Sequence, residues 1–404
     1  MNGIITTIQK KGLSKVFQQF IKNERAGAVV LIVCTILSLV IANTALGPEY
    51  QHFWHAYAGG LSVEHWVNDG LMAIFFLLIG LELQRELYVG ELSNVKRALL
   101  PVFAALGGVA VPALIHFALN AGTPTQAGVG IPMATDIAFA IGVLALIGNR
   151  VPASLKVFLV ALAVMDDLAA IIVIAIFYTA ELSWSYLGLA IAIFVLLLVI
   201  KRMGVKTLIP FLIGGAAMWF FMLRSGVHAT IAGVLLAFTI PFSITEDDET
   251  SPSHKLEHIL HKPVAFIILP IFALANTGIV IGGGWLSDLT SPNGLGIILG
   301  LVIGKPVGIT LAAFLVVTIG ICRLPLDLNW RHVFGAGLLG GIGFTMSIFI
   351  TNLAFPAEPS IINASKMAIL AASLSAGILG LVFLKLFGQP TAVDTDMDTM
   401  DFEE

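Results

Sequence analysis

Charge is what this sequence has least of. Asp, Glu, Lys and Arg make up 11% of its 404 residues, 58% are hydrophobic, and the mean hydropathy is +0.97. Soluble domains carry roughly a quarter charged residues, so this chain has too little polar surface to cover a water-soluble fold. A polytopic membrane protein follows. Cysteine is nearly missing as well. Cys34 and Cys322 lie far apart, in or beside apolar runs, which excludes a disulfide framework and a cysteine metal site. Lysine and arginine are spread over many loops, and the lack of a basic patch excludes a nucleic-acid partner. The dipeptide Gly-Asp occurs nowhere. With it goes the GxGD motif by which an intramembrane aspartyl protease is recognised, and an enzyme is not expected.

What the chain has instead is long apolar runs. They recur near 26–44, 65–83, 98–119, 128–148, 153–178, 185–200, 207–223, 225–242, 263–281, 294–319, 331–353 and 363–387, which gives twelve candidate spans. The run 26–44 follows several lysines but is longer than a signal-peptide core, so an uncleaved first span is expected. Loops are short throughout, and Arg224 alone separates the seventh and eighth runs, so one compact bundle is expected over residues 1–390. Residues 391–404 are acidic and read as a disordered cytoplasmic tail. With a cytoplasmic N-terminus, all but three of the 21 Lys and Arg fall on the cytoplasmic side, as the positive-inside rule requires. Arg224 and Lys366 fall outside, and Lys305 lies within the tenth span. An even number of spans then returns the C-terminus to the cytoplasm.

Four ionisable groups remain at mid-span: Asp136, Asp166, Asp167 and Lys305. Ionisable groups at that depth cost several kcal/mol and point to function. A purely structural ion pair is the alternative for Lys305, but one lysine cannot neutralise three carboxylates. In AVMDDLAA, 163–170, adjacent helical positions point about 100° apart. One aspartate of the pair can therefore face a cavity while the other reaches a neighbouring helix. Their mutual repulsion favours the binding of a positive charge, and carboxylate oxygens suit protons and small hard cations alike. Competition of the two for one site is the chemistry of an antiporter.

Two spans carry signs of interruption. Pro132 precedes Asp136 by four residues, and the eleventh span holds Gly335, Gly337, Gly340, Gly341 and Gly343 in its first half. Proline frees a backbone carbonyl, and glycine-interrupted spans in corresponding positions point to a transporter site. Close helix packing is an equal explanation for the glycines taken alone. Asp136 is placed to offset the positive ends of broken helices, and Lys305 the negative ends.

Several stretches, in order along nearly the whole chain, resemble the NhaA family of Na⁺/H⁺ antiporters. They are HWVNDGLMAIFFLLIGLELQREL (65–87), ATDIAFAIGVLALIG (134–148), ALAVMDDLAA (161–170), SGVHATIAG (225–233), LEHILH (256–261), LVIGKPVGI (301–309) and GIGFTMSIFI (341–350). The resemblance implies an all-α bundle of about twelve transmembrane helices with an inverted repeat, in which helices 4 and 11 are interrupted and cross at the midplane. This family is itself a type example of that architecture, so the expectation is inherited rather than independent. Asp166 and Asp167 become the ligands of transported Na⁺ or Li⁺, with Asp167 the more direct and Thr135 beside it. Asp136 becomes the compensator of helix dipoles, and Lys305 the ion-pair partner of Asp166. Glu82, Arg85, Glu86, Glu257, His258 and His261 become a pH-sensing cytoplasmic funnel, with His228 a weaker candidate for the same role.

The family further implies electrogenic exchange activated at alkaline pH, no cofactor, and a homodimer in the bacterial inner membrane. Dimer contacts fall partly on the loop 46–62. Gln84 stands where some relatives carry a basic residue, which bears on the pH set-point. Asp69 reads equally well as a cap of the second span, and His228 as a satisfied buried histidine. A cation channel needs rings of ligands, and a sodium-coupled symporter needs a large polar pocket. Neither is visible in the sequence.

Overall fold

The computed structural model describes residues 15–179, 182–243 and 251–389. The acidic tail and the acidic run at 246–249 lie outside the described residues. In chain order, α1 (Lys15–Ala42) is followed by α2 (Gly47–His55), which turns aside from it by 114°. A hairpin of β1 (Tyr57–Ala58) and β2 (Leu61–Ser62) comes next, and it forms the one sheet among the described residues. Its turn is Gly59-Gly60, with φ of +63° and +88°. Both central residues of a type I′ turn need positive φ, which glycine supplies without strain.

Helices α3 (Val63–Tyr88) and α4 (Val95–Asn120) lead to the fourth span, a tight 3₁₀ segment (Pro124–Met133) followed by α5 (Ile137–Ile147). Then come α6 (Ala153–Phe177), α7 (Trp184–Arg202), α8 (Ile209–Ser225) and α9 (Ile231–Thr239). After α10 (Pro252–Asn276) and the short α11 (Trp285–Thr290) lies α12 (Pro292–Thr318). The eleventh span is divided into α13 (Trp330–Gly340) and α14 (Phe344–Ala354), and α15 (Pro359–Phe387) ends the bundle. Among the described residues, seven helices are long and apolar enough to cross a membrane, and three more segments are pairs bent at short breaks. Of the twelve spans expected from hydropathy, length and composition thus support up to ten among the described residues; the seventh and eighth runs form the shorter α8 and the nine-residue α9. Asp69, a candidate cap for α3, does not cap it. The Ser62 hydroxyl accepts from His65 N–H instead, and Asp69 sits one turn further on, 3.2 Å from His65 Nε2.

Glycine explains how the bundle closes. A Cβ on Gly308 of α12 would lie 2.2 Å from the Gly107 carbonyl of α4, and one on Gly304 would lie 3.0 Å from Pro112 Cα. Between α9 and α3, a Cβ on Gly233 would come within 2.1 Å of the Ala73 carbonyl. Backbones therefore touch along both seams, and close contact is what holds helices together where lipid offers no hydrophobic drive. The eleventh-span glycines divide between two jobs. Gly335 and Gly337 pack against Leu384 and Pro306, whereas Gly341 and Gly343 lie in the break itself.

Candidate ion-exchange site

The breaks of the fourth and eleventh spans cross each other. Asp136 N–H donates to the Ile342 carbonyl at 2.6 Å, and the Ser347 hydroxyl donates to the Ile131 carbonyl at 2.7 Å. Backbone groups freed by the interruptions are thus satisfied across the crossing, as burial in a membrane requires. The Asp136 carboxylate is the hub. It accepts from Phe139 N–H at the start of α5 and from Thr345 N–H at the start of α14, both at 3.0 Å, and from the Thr345 hydroxyl. One side chain caps two helix N-termini, each equivalent to about half a positive charge.

Helix α6 delivers Asp166 and Asp167, each only 1% exposed, to this crossing with different surroundings. Asp166 turns to α12, where Lys305 is fully buried and ion-paired with it. Thr135 completes the cluster. Its hydroxyl lies 2.6 Å from Asp166 Oδ2 and 2.8 Å from the Gly340 carbonyl, and it accepts from Lys305 Nζ at 3.0 Å. Asp167 faces the other way, into a cavity of about 40 Å³ that Asp136, Thr345, Glu82 and His261 also line. The Oδ1 atoms of both aspartates accept no hydrogen bond from the described residues. Two buried carboxylate oxygens with free lone pairs suit a proton or a hard cation.

At the mouth of that cavity, α3 and α10 bring together most of the residues expected to sense pH. His261 Nε2 lies 3.4 Å from Glu82, Arg85 pairs with Glu257 at 2.6 Å, and Arg85 reaches Glu86 at 3.4 Å. Gln84 joins the same two helices by accepting from the Ser253 hydroxyl at 2.9 Å. His258 is exposed on α10 and joins neither pair. His228 is elsewhere: its Nε2 is 2.7 Å from the Tyr178 carbonyl, near the opposite end of α3.

That opposite end opens into a second, larger cavity of about 800 Å³, lined by Glu64, His65, Asp69, His228 and Lys366. Asp69 and Glu82 lie on the same helix roughly 20 Å apart along its axis, so the two cavities face opposite ends of the bundle. A chain of amides lies in the wall of the larger one. Asn352 donates to Asn276 at 2.6 Å, and Asn276 donates to Asn68 at 2.8 Å. These asparagines and Lys366 carry no sign in the sequence beyond being polar residues in apolar surroundings.

The family model described as Na⁺/H⁺ antiporter 1 matches residues 18–384. Among curated proteins, the Na⁺/H⁺ antiporter NhaA of Dechloromonas aromatica is 70% identical over 378 residues, 93% of this chain and 97% of that one. Those of Cytophaga hutchinsonii (58% over 374 residues; 93% and 96% covered) and Flavobacterium psychrophilum (56% over 382; 95% and 99%) are similar over the same length.

Proposed function

The chain belongs to the NhaA family of Na⁺/H⁺ antiporters, and from that premise we propose how its residues perform the exchange. It is a multi-pass membrane protein that exchanges Na⁺ for H⁺, and these ions are its substrates rather than cofactors. The cavity at the Glu82 end faces the cytoplasm, because the basic residues gather on that side. Both termini then lie in the cytoplasm, as expected for a bacterial inner-membrane carrier.

Asp167 is the first ligand for Na⁺ or Li⁺ arriving from the cytoplasm. The observation that carries this reading is its position on the cavity wall while Asp166 is held by Lys305. A cation at Asp167 competes with Lys305 for the shared negative field. As the ion pair opens, Asp166 and the Thr135 oxygen become available as further ligands. The crossing then rocks, the site opens to the larger cavity, and the cation leaves as protons take its place. One proton returns on Asp167 and a second on Asp166 or Lys305, which titrate as a unit. Two protons in for one cation out moves one net charge inward, so the membrane potential, worth about 2.3 kcal/mol per charge per 100 mV, helps expel sodium.

Activation at alkaline pH is assigned to the mouth cluster. The cluster sets carboxylates from two helices against Arg85 and His261 at the entrance, so a change in its protonation alters the field that an arriving sodium ion meets. Homodimer formation is assigned to the β1–β2 hairpin, whose Tyr57 is 82% exposed and whose outer edge is open to strand pairing. The decisive test is a pH-dye assay on everted vesicles with Asp167→Asn. Exchange is expected to vanish while the protein still inserts at the normal level. Near-normal exchange across pH 7 to 9 would remove Asp167 from the mechanism.

A further inference from the structure

The vestibule at the Asp69 end holds a charge that the exchange itself does not use. Among the described residues lining it, Lys366 is the one lysine, and no arginine accompanies it. It lies in the first two turns of α15 and is only 6% exposed. Among the described residues no carboxylate lies within 4.0 Å of its ammonium, and it donates no hydrogen bond. The acids of the vestibule are engaged with histidines: His55 lies 3.6 Å from Glu64, and His65 lies 3.2 Å from Asp69. A lysine kept for structure near a helix end either pairs with a carboxylate or snorkels to the headgroups. Lys366 does neither. Its charge is spent on the space in front of it, where Glu64 faces it across the cavity.

We propose that Lys366 is a specificity-determining residue for the outward half of the cycle, one that lowers the affinity of the outward-facing carrier for sodium. The inference rests on the exchange reading above and adds a sidedness to it. A cleft with low-dielectric walls focuses the field of a charge in its lining and sets the local concentration of small ions. An ammonium there offsets the pull of Glu64 and Asp69 on sodium, so that an exported cation escapes and external sodium is less readily drawn back. Protons are less restricted. They pass by exchange between water and side chains such as His65 and Asp69 and need no free cation in the vestibule.

The two faces are measured separately in right-side-out and everted membrane vesicles from the same cells, by sodium-driven proton movement. Lys366→Gln is expected to lower the KM for sodium at the outer face roughly threefold to tenfold, the effect of one charge across a hydrated cavity. Lys366→Glu should lower it further, and Lys366→Arg should leave it unchanged. The KM and maximal rate at the cytoplasmic face should stay at the parental values in all three. An unchanged outer KM in both the Gln and Glu variants overturns the proposal, and so does an equal shift at both faces. If the Lys366 variants do not accumulate, Glu64→Gln and Glu64→Lys on the facing wall should raise the outer KM alone, and no change in either overturns it too. Absence of exchange at both faces of the parental protein would instead remove the function on which the proposal rests.

Discussion

Replacing Asp136 with asparagine asks whether one charge holds the two half-helices of the crossing together. The carboxylate receives two backbone N–H groups at 3.0 Å, one from the first turn of α5 and one from the first turn of α14, besides the Thr345 hydroxyl. A charge at a helix N-terminus contributes up to about 2 kcal/mol in favourable partly buried geometry, so two termini set an upper value of about 4 kcal/mol. Asparagine keeps one acceptor oxygen and carries a smaller desolvation cost than a buried carboxylate. Both differences reduce the loss, and about 2–3 kcal/mol should remain. At about 2 °C per kcal/mol for a larger domain, Tm in detergent should fall by roughly 4–6 °C. Thr345→Val removes only the hydroxyl donor and should cost about 1 kcal/mol. Thermal unfolding followed by tryptophan fluorescence measures all three proteins. If Asp136→Asn unfolds within about 1 °C of the parent, the charge does not compensate the helix ends, and the reasoning fails.

Three further outcomes are expected. Thr135→Val, which keeps the shape of the side chain and loses its hydroxyl, should raise the cytoplasmic KM for sodium about tenfold, whereas Thr135→Ser should stay within about twofold (about 1.4 kcal/mol separates a tenfold change); equal behaviour of the two would deny Thr135 a ligand role. Glu257→Gln and His261→Ala, by removing the Arg85–Glu257 ion pair and the His261–Glu82 contact at the cavity mouth, should each move the pH profile of exchange by several tenths of a unit or more; identical profiles in parent and variants would reduce the cluster to a charged helix end. Deleting the hairpin residues 57–62 should convert a dimer to a monomer on size-exclusion chromatography with light scattering, and a dimer persisting at micromolar concentration would place the interface elsewhere.

The sequence pattern made some of this legible and left other parts dark for definite physical reasons. Asp166 and Asp167 stand out because ionisable groups at mid-span are costly, and the 100° turn between adjacent residues already separates their directions. Which of them meets the cavity depends on the rotation of α6 against α4 and α12, and no periodicity in α6 itself encodes that. Lys305 is visible as a charge, but its partner Asp166 is 139 residues away, and only the family resemblance joined them. The glycines of the eleventh span read as a single signal, although close packing and chain interruption use them separately. His228 lies in a sequence stretch shared with the family, yet it faces the larger cavity rather than the Glu82 cluster. Lys366 counts as an exception to the positive-inside pattern, and only the vestibule gives the exception a surrounding. The amide chain from Asn68 to Asn352 joins residues from three helices far apart in the chain. Single uncharged amides at such separations leave no spacing to detect.

Thr135 ties these parts into one device. Its hydroxyl has a single proton, and two acceptors lie within reach: Asp166 Oδ2 at 2.6 Å and the Gly340 carbonyl at 2.8 Å. While Lys305 donates to both Asp166 and the Thr135 oxygen, the carboxylate is already served by a charge. The hydroxyl proton can then rest on the carbonyl that ends α13, which holds the crossing closed. A cation that displaces Lys305 leaves Asp166 short of one donor and frees a lone pair on Thr135. The hydroxyl can then offer its oxygen to the cation only by keeping its proton on one of the other two acceptors. Occupancy at the aspartates and the hydrogen bond to the end of α13 are therefore coupled through one proton. A small ion can in this way bias a rearrangement of whole half-helices, since the affinity difference between two states is all that a ligand has to supply. On the proposed exchange, cation and protons compete for the same unsatisfied oxygens of Asp166 and Asp167.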